Sequence, residues 1–233
     1  MTTRIFPAVP RPGAAPPPAP PAPPAGATGE MRREPGWELA AVFEPARQVS
    51  GDFYDAFHMA DGMLIGVVVG DVCGKGVGAS LFMALFRSLI RVVATQVVRS
   101  GRTALLGGDD DRLFVALHVA NDYIAQVHGD ANMFATVFAA AVNPMTGAVR
   151  WVNAGHEPAL VVDADGRVRA RLAPNAPALG LFPGIALAAG DLRLAAGETL
   201  LVTTDGVSEA RDPAGAFFGD ERLVALCTGA PPG

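Results

Sequence analysis

Residues 67–82 read VVVGDVCGKGVGASLF, and the parsing of that stretch decides the fold. The run MLIGVVVG at 63–70 is β-branched and almost wholly apolar, as in a strand buried on both faces. It delivers Asp71 into a glycine-rich turn that also holds Lys75. From Ala79 to Arg99 the polar residues Ser80, Arg87, Arg91, Thr95 and Arg99 recur between apolar faces, which predicts a helix. Strand, acid in a glycine turn, then helix is compatible with a phosphate loop, a metal site, or a plain turn.

Counting excludes the phosphate loop. A Walker loop requires G-x-x-x-x-G-K-[ST], because its amides wrap phosphates and its hydroxyl takes magnesium. Measured back from Gly74-Lys75, the first glycine position holds Val69, and the hydroxyl position holds Gly76. A dinucleotide fingerprint fails too, since G-x-G-x-x-G is absent and no βαβ pattern surrounds the turn.

Working outward, WELAAVF (37–43) and DFYDAFHM (52–59) alternate as strands, and the Asp-Gly pair at 61–62 signals a hairpin into 63–70. A second helix is predicted over Arg112 to Val127, with Leu113, Leu117, Ala120, Ile124 and Val127 as its apolar stripe. Asp109, Asp110 and Asp111 precede it; they read as helix-capping residues in preference to a cation site. FATVFAAAV (134–142) and AVRWVNAG (148–155) read as one hairpin, PALVV (158–162) and RVRARL (167–172) as another, and LRLAAGETLLVTTDG (192–206) as a last one. Strands, two helices, then strands is an α+β pattern with mainly antiparallel sheets, not alternating βαβ.

Composition bounds the function. The 233-residue chain is 50% hydrophobic and 18% charged, ample for a core. Its formal net charge of −5 and pI near 5.3 argue against nucleic acid or an anionic membrane surface as partner. The two cysteines, Cys73 and Cys227, match no metal-ligand spacing and suit a reducing compartment. No continuous apolar segment of a signal peptide opens the chain, and Arg87 and Arg91 interrupt the longest apolar stretch, so no membrane span and a cytoplasmic protein are expected. Residues 1–35, which include the Pro/Ala-rich stretch 7–27, read as a disordered tail or linker; the folded domain is expected over 36–228, starting near Trp37.

Three acids share one context. Asp52, Asp71 and Asp205 each lie at the edge of a strand-like run beside glycine, in SGDFYD, GDVCG and TTDGV. Each alone reads as a turn or cap residue; together they also fit hard cations, which take oxygen ligands.

The motifs that contain these acids are similar to those of the SpoIIE/RsbU-like branch of the metal-dependent (PPM, type 2C-like) serine/threonine protein phosphatases. EPARQVSGDFYD, GDVCGKGVGASLFMALFRSLIR, NMFATVFAAAVNPMTGAVRWVNAGHEPALVV, ALGLFPG and LLVTTDGVSEARDPAGAFFGDERL follow in family order, from roughly Trp37 to Leu226. The resemblance implies a β-sandwich flanked by helices and two Mn²⁺ or Mg²⁺ ions. Asp52, Asp71 and Asp205 would be ligands, with the backbone carbonyl of Val72 as a further one and Asp71 bridging both metals. It implies direct attack of a metal-bound hydroxide on phosphoserine or phosphothreonine, with a phosphorylated STAS-domain anti-sigma-factor antagonist as substrate and partner. A homodimer is compatible with it.

Secondary roles are weaker on the residues. Asp55 reads as an outer-shell acid or a sheet-edge residue, and Lys75 as an exposed turn residue in preference to an anion contact. His156 reads as a structural histidine in preference to a proton carrier, and Asn153 as a satisfier of backbone groups. Two positions depart from the family pattern: Ser50 stands where Gly is common, and Cys73 where Ser is common. Cys73 reads as a small turn residue in preference to an oxidation-sensitive one. The family pattern continues past FGDERL to a helix and a strand with an Asp-Asp-x-Thr pair. Here Asp212, Asp220 and Glu221 are in the wrong context to supply it. A C-terminally incomplete domain is therefore expected, with a catalytically impaired binding module for a STAS partner as the alternative function.

Overall fold

The computed structural model describes residues 2–7, 28–34, 36–44, 50–74, 76–96 and 111–228. The chain divides into two compact units: Met1–Glu44, Ala159–Arg171 and Leu194–Gly233 make one, Pro45–Pro158 and Leu172–Arg193 the other. Each contains one antiparallel sheet, so the architecture is mixed α/β with helices against antiparallel strands, as expected.

The second unit is a meander interrupted by two helices. β4 (Asp52–Met59), β5 (Leu64–Val72), β6 (Ala135–Val142) and β7 (Ala148–Ala154) pair in succession, and β10 (Gly190–Arg193) adds to β7. β5 sits between β4 and β6, so both its edges are paired, and Val67, Val68 and Val69, which alternate between its faces, are fully buried, in keeping with a sequence apolar on both faces. The Asp-Gly turn forms where expected, with Asp61 and Gly62 both at positive φ (54° and 90°). Glycines interrupt β5 because aromatic rings lie across it. Phe53 is opposite Gly70, and a Cβ on Gly70 would fall 2.6 Å from that ring.

α1 (Val77–Gln96) and α2 (Arg112–Val127) leave and rejoin the sheet between β5 and β6. Ala79, Phe86, Ile90 and Ala94 of α1 and Leu113, Ala116, Leu117, Ala120 and Ile124 of α2 share a core with Phe53, Phe57, Val68, Val137 and Ala139 of the strands. Burying each large side chain contributes roughly 1.5–3 kcal/mol. α1 is also long and apolar enough to cross a membrane by length and composition, yet it packs on β4 through these residues. Asp111 occupies the N-cap of α2 but makes no capping bond; its carboxylate instead lies 3.5 Å from Arg150 Nε. Capping is thus corrected to an ion pair at Asp111, while Asp109 and Asp110 lie outside the described residues.

The first unit holds β1 (Thr2–Pro7), β2 (Thr28–Glu34), β3 (Trp37–Phe43), β8 (Ala159–Val162), β9 (Val168–Leu172) and β11 (Thr199–Thr203), in the order β2-β3-β1-β11-β8-β9. α4 (Gly219–Cys227) packs Leu223, Val224 and Cys227 against Leu160, Val162 and Leu201. Two expectations change here. The segment 1–35 contributes two strands, because β1 finds partners in both β3 and β11; most of the Pro/Ala-rich stretch, 8–27, lies outside the described residues. The last hairpin does not form. Gly190–Arg193 pairs with Ala148–Trp151 of β7, whereas β11 pairs with β1 and β8, so the AAGE turn connects strands of different sheets.

Candidate functional site

The antiparallel register of β4 and β5 sets Asp52 directly opposite Asp71. Directly opposed residues on neighbouring strands share a face, with Cβ atoms about 4.5–5.5 Å apart, and like charges there destabilise the sheet. Both acids are half-buried. The chain before Asp52 closes on the same strand end, where Val72 N–H donates to Gly51 O at 3.3 Å. A Cβ on Gly51 would lie 2.5 Å from Val72 O and 3.1 Å from Asp71 Oδ1. Only glycine leaves that space, and a carbonyl and a carboxylate oxygen border it.

The turns around the acids are pinned from two sides. Asp52 N–H donates to Ser50 Oγ (3.0 Å), and Ser80 Oγ on the first turn of α1 reaches Ser50 O (3.1 Å) and Gly76 O (3.2 Å). Cys73 N–H donates to Phe134 O (2.9 Å), while Phe134 N–H points at Cys73 Sγ (3.4 Å). The two positions that depart from the family pattern, Ser50 and Cys73, thus both fasten turns.

The row extends to the third strand. Thr136 of β6 is opposite Asp71, and its Oγ1 lies 2.9 Å from His156 Nδ1. His156 is buried and donates its backbone N–H to Asn153 Oδ1 (2.7 Å). The fully buried Asn153 donates from Nδ2 to Glu157 O and Leu172 O and so closes the Asn-Ala-Gly-His turn. Asn153 therefore satisfies backbone groups, as the sequence suggests. Thr136 is the residue that sequence reasoning passed over; its one signal is a lone hydroxyl in the apolar run ATVFAAAV.

Residues 61–233 match the family described as Stage II sporulation protein E (SpoIIE). The chain belongs to the SpoIIE family. Protein IcfG of Synechocystis sp. (strain ATCC 27184 / PCC 6803 / Kazusa) is 42% identical over 206 residues, covering 82% of this chain and 32% of that protein. The chain thus spans about a third of the curated relative's length. Among solved structures, the RsbU and RsbW domains of Rv1364c from Mycobacterium tuberculosis superpose with a TM-score of 0.58 at 27% identity, covering 80% of this chain and 49% of that one. The PP2C phosphatase domain of SpoIIE from Bacillus subtilis gives a TM-score of 0.59 at 14% identity, over 88% of this chain and 61% of that one, a likeness of fold.

Within this SpoIIE-family domain, the other residues singled out from sequence fall in separate places. Asp55 is three residues from Asp52, so strand alternation turns it to the opposite face of β4. There it is buried and bound by Arg91 Nη1 at 2.6 Å and Arg87 Nε at 3.5 Å, both from α1. It anchors the helix from the edge strand of its sheet, in keeping with the sheet-edge alternative for this acid. Asp205 opens the short helix α3 (Asp205–Ser208) directly after β11, in the other unit, and is exposed. Lys75 lies outside the described residues. Asp212 accepts from Ala214 N–H and Ala216 N–H, both at 2.9 Å, and Asp220 and Glu221 open α4, so these acids serve their own turns. Among the described residues, no group of three or more His, Cys, Asp or Glu side chains is assembled for a metal.

α2 also holds the ALGLFPG loop. Asn121 Oδ1 accepts from Gly180 N–H and its Nδ2 donates to Phe182 O, while Asp122 Oδ1 accepts from Gly184 N–H (2.8 Å). The Gly184 bond, then that from Asn121 Nδ2, holds the Asp122 carboxyl below the ordinary carboxylate value.

Proposed function

We propose that the chain is a metal-dependent protein serine/threonine phosphatase acting in the cytoplasm. The observation that carries the reading is the in-register pair Asp52 and Asp71, beside the Val72 carbonyl and around the glycine at 51. Two carboxylates and a carbonyl form an all-oxygen donor set, the chemistry of Mg²⁺ or Mn²⁺. Asp52, Asp71 and the Val72 carbonyl would hold the metal, and Asp205 is the further ligand that the family resemblance implies. When bound, such ions acidify a coordinated water and polarise a phosphoryl group. The residues' part is to fix the donors: Ser50 and Ser80 hold the Asp52 turn, and the Cys73–Phe134 bonds hold the end of β5.

The substrate class we infer is phosphoserine or phosphothreonine on a STAS-domain anti-sigma-factor antagonist. Its support is family membership and the 27% identity to the RsbU and RsbW domains of Rv1364c. A second reading is a silent module that docks a STAS partner without hydrolysing it; the lack of a three-residue cluster among the described residues favours it.

One experiment separates the two. Hydrolysis of p-nitrophenyl phosphate and of a phosphorylated STAS protein is measured with Mn²⁺, for wild type and Asp71→Asn, alongside calorimetric binding of the STAS protein. Metal-dependent turnover lost in Asp71→Asn supports the phosphatase. Binding with no turnover supports the module, and neither binding nor turnover removes both.

A further inference from the structure

We propose that the tip of the ALGLFPG loop is a docking point for the phosphoprotein substrate, which would cover Leu181 and Phe182 with an apolar patch of its own; this rests on the phosphatase reading above. Leu181 and Phe182 are adjacent large apolar side chains, 47% and 52% exposed. Single exposed apolar residues are ordinary, but this pair stands on a loop that the core fixes at several points. Ala135 N–H donates to Leu179 O at 2.9 Å, and Leu179 N–H donates to Ala135 O at 2.8 Å. Gly180 (φ 90°) then enters a gap where a Cβ would meet Ile124 Cγ2 at 2.9 Å and both the Met133 carbonyl and the Phe86 ring at 3.2 Å. The fully buried Asn121 accepts from Gly180 N–H at 2.8 Å and donates to Phe182 O at 3.1 Å, while Asp122 accepts from Gly184 N–H. A buried amide side chain is costly unless it is bonded, and both ends of this one hold the loop.

An aromatic side chain whose backbone is already fixed loses little freedom on binding, which is the condition for an interface hot spot. The sheet sets where this one stands. Ala135 pairs with Val72 on one side and with Leu179 on the other, so Leu179 lies two strand spacings, about 10 Å, from Val72. Phe182 is three residues further along, at most about 11 Å more. A folded partner covers about 800 Å² on each side, a patch roughly 30 Å across. One such footprint spans both the Asp52–Asp71 pair and the loop tip. A small phosphate ester has no second surface to place there. Leu181, Phe182 and the following Pro183 carry no charge, so the complementary patch on the partner is apolar as well.

The test uses the full chain with Mn²⁺. kcat/KM is measured on a phosphorylated STAS protein and on p-nitrophenyl phosphate for wild type, Phe182→Ala, Leu181→Ala and Phe182→Tyr, with melting curves alongside. Met145→Ala is the control, an apolar residue 89% exposed in the turn after β6, at the other end of that strand. In Phe182→Ala the ratio of the protein value to the small-ester value should fall roughly tenfold or more, carried by KM, as truncating an aromatic hot spot does. Leu181→Ala should lower the ratio less, leucine being the weaker anchor. Phe182→Tyr, which keeps the ring, and Met145→Ala should both stay within about threefold of wild type. The proposal fails alone if the ratio is unchanged in Phe182→Ala, or if Met145→Ala lowers it as much. Unfolding of the chain by both Phe182→Ala and Leu181→Ala also overturns it, by assigning the tip to stability. Wild type that hydrolyses only p-nitrophenyl phosphate removes the STAS substrate and this inference with it. Wild type inactive on both removes the phosphatase reading itself.

Discussion

The two faces of β4 treat an aspartate in opposite ways. Asp55, buried on the helix-bearing face, looks across at Arg87 and Arg91 of α1; Asp52, three residues earlier on the other face, looks across the ladder at Asp71. In the first arrangement a buried acid is compensated by two guanidinium groups, so removing one of them would leave its charge under-compensated. The second raises the energy of the folded chain, because two carboxylates in register repel. The contrast is therefore between an acid that serves the fold and the acid pair on which the proposed metal site rests.

Asp71→Asn should break that contrast most visibly. Phosphatase activity should fall by more than the roughly 10–100-fold that outer-shell changes cost. The metal-free protein should melt at the same temperature as wild type or slightly higher, the relieved repulsion being worth roughly 0.2–1 kcal/mol. If metal-free Asp71→Asn melts well below wild type, the pair serves the fold and the contrast with Asp55 is lost.

A pair of glycine substitutions sharpens it. Gly70→Ala on the helix-bearing face drives a methyl to 2.6 Å from the Phe53 ring and should cost about 1–3 kcal/mol of stability in a denaturant titration. Gly51→Ala puts its methyl against backbone and carboxylate oxygens at 2.5 and 3.1 Å. It should abolish Mn²⁺ binding seen by calorimetry as well as weaken the fold. Gly51→Ala with full Mn²⁺ affinity would show that the donors do not converge on that space.

Arg91→Met is the converse test. It leaves Asp55 buried with Arg87 alone, and the arginines are partly exposed, so the loss should be modest, about 1–2 kcal/mol, with Mn²⁺ affinity unchanged. Equal changes in stability and in Mn²⁺ affinity would mean that the two faces are coupled.

How much of this was legible in the sequence follows from the range of the interactions. The strand at 63–70 and the helix at Arg112–Val127 were readable because burial periodicity is local. Asp52 and Asp71 were each marked by a glycine turn, but only the strand register shows that they face each other. Partner choice was not readable. Gly190–Arg193 carries the same alternation whether it pairs with β11 or β7, and only tertiary contact selects β7. The strand Thr2–Pro7 was hidden by the proline-rich stretch that follows it. Asp55 stayed open between two readings for want of the arginines, 32 and 36 residues away, that claim it (87 − 55 and 91 − 55). Thr136 escaped because its partner, His156, is 20 residues away in sequence and meets it only in the folded hairpin.

The smallest effect concerns Asp122, an acid held chiefly by a backbone amide. Its carboxyl titrates below the ordinary value because Gly184 N–H and Asn121 Nδ2 favour the charged form, with burial opposing weakly. A depressed carboxylate contributes stability that is fully present above its unfolded value, about 3.9, and is lost as pH falls through the lower folded value. The contribution should be under about 1 kcal/mol, since the group is largely solvated. In an acid titration followed by ¹⁵N NMR, the Gly184 amide resonance should move with a midpoint below that of a free aspartate. In Asp122→Asn it should stay flat. A Gly184 amide that titrates at the free-aspartate value would mean that the loop is not clamped by this acid.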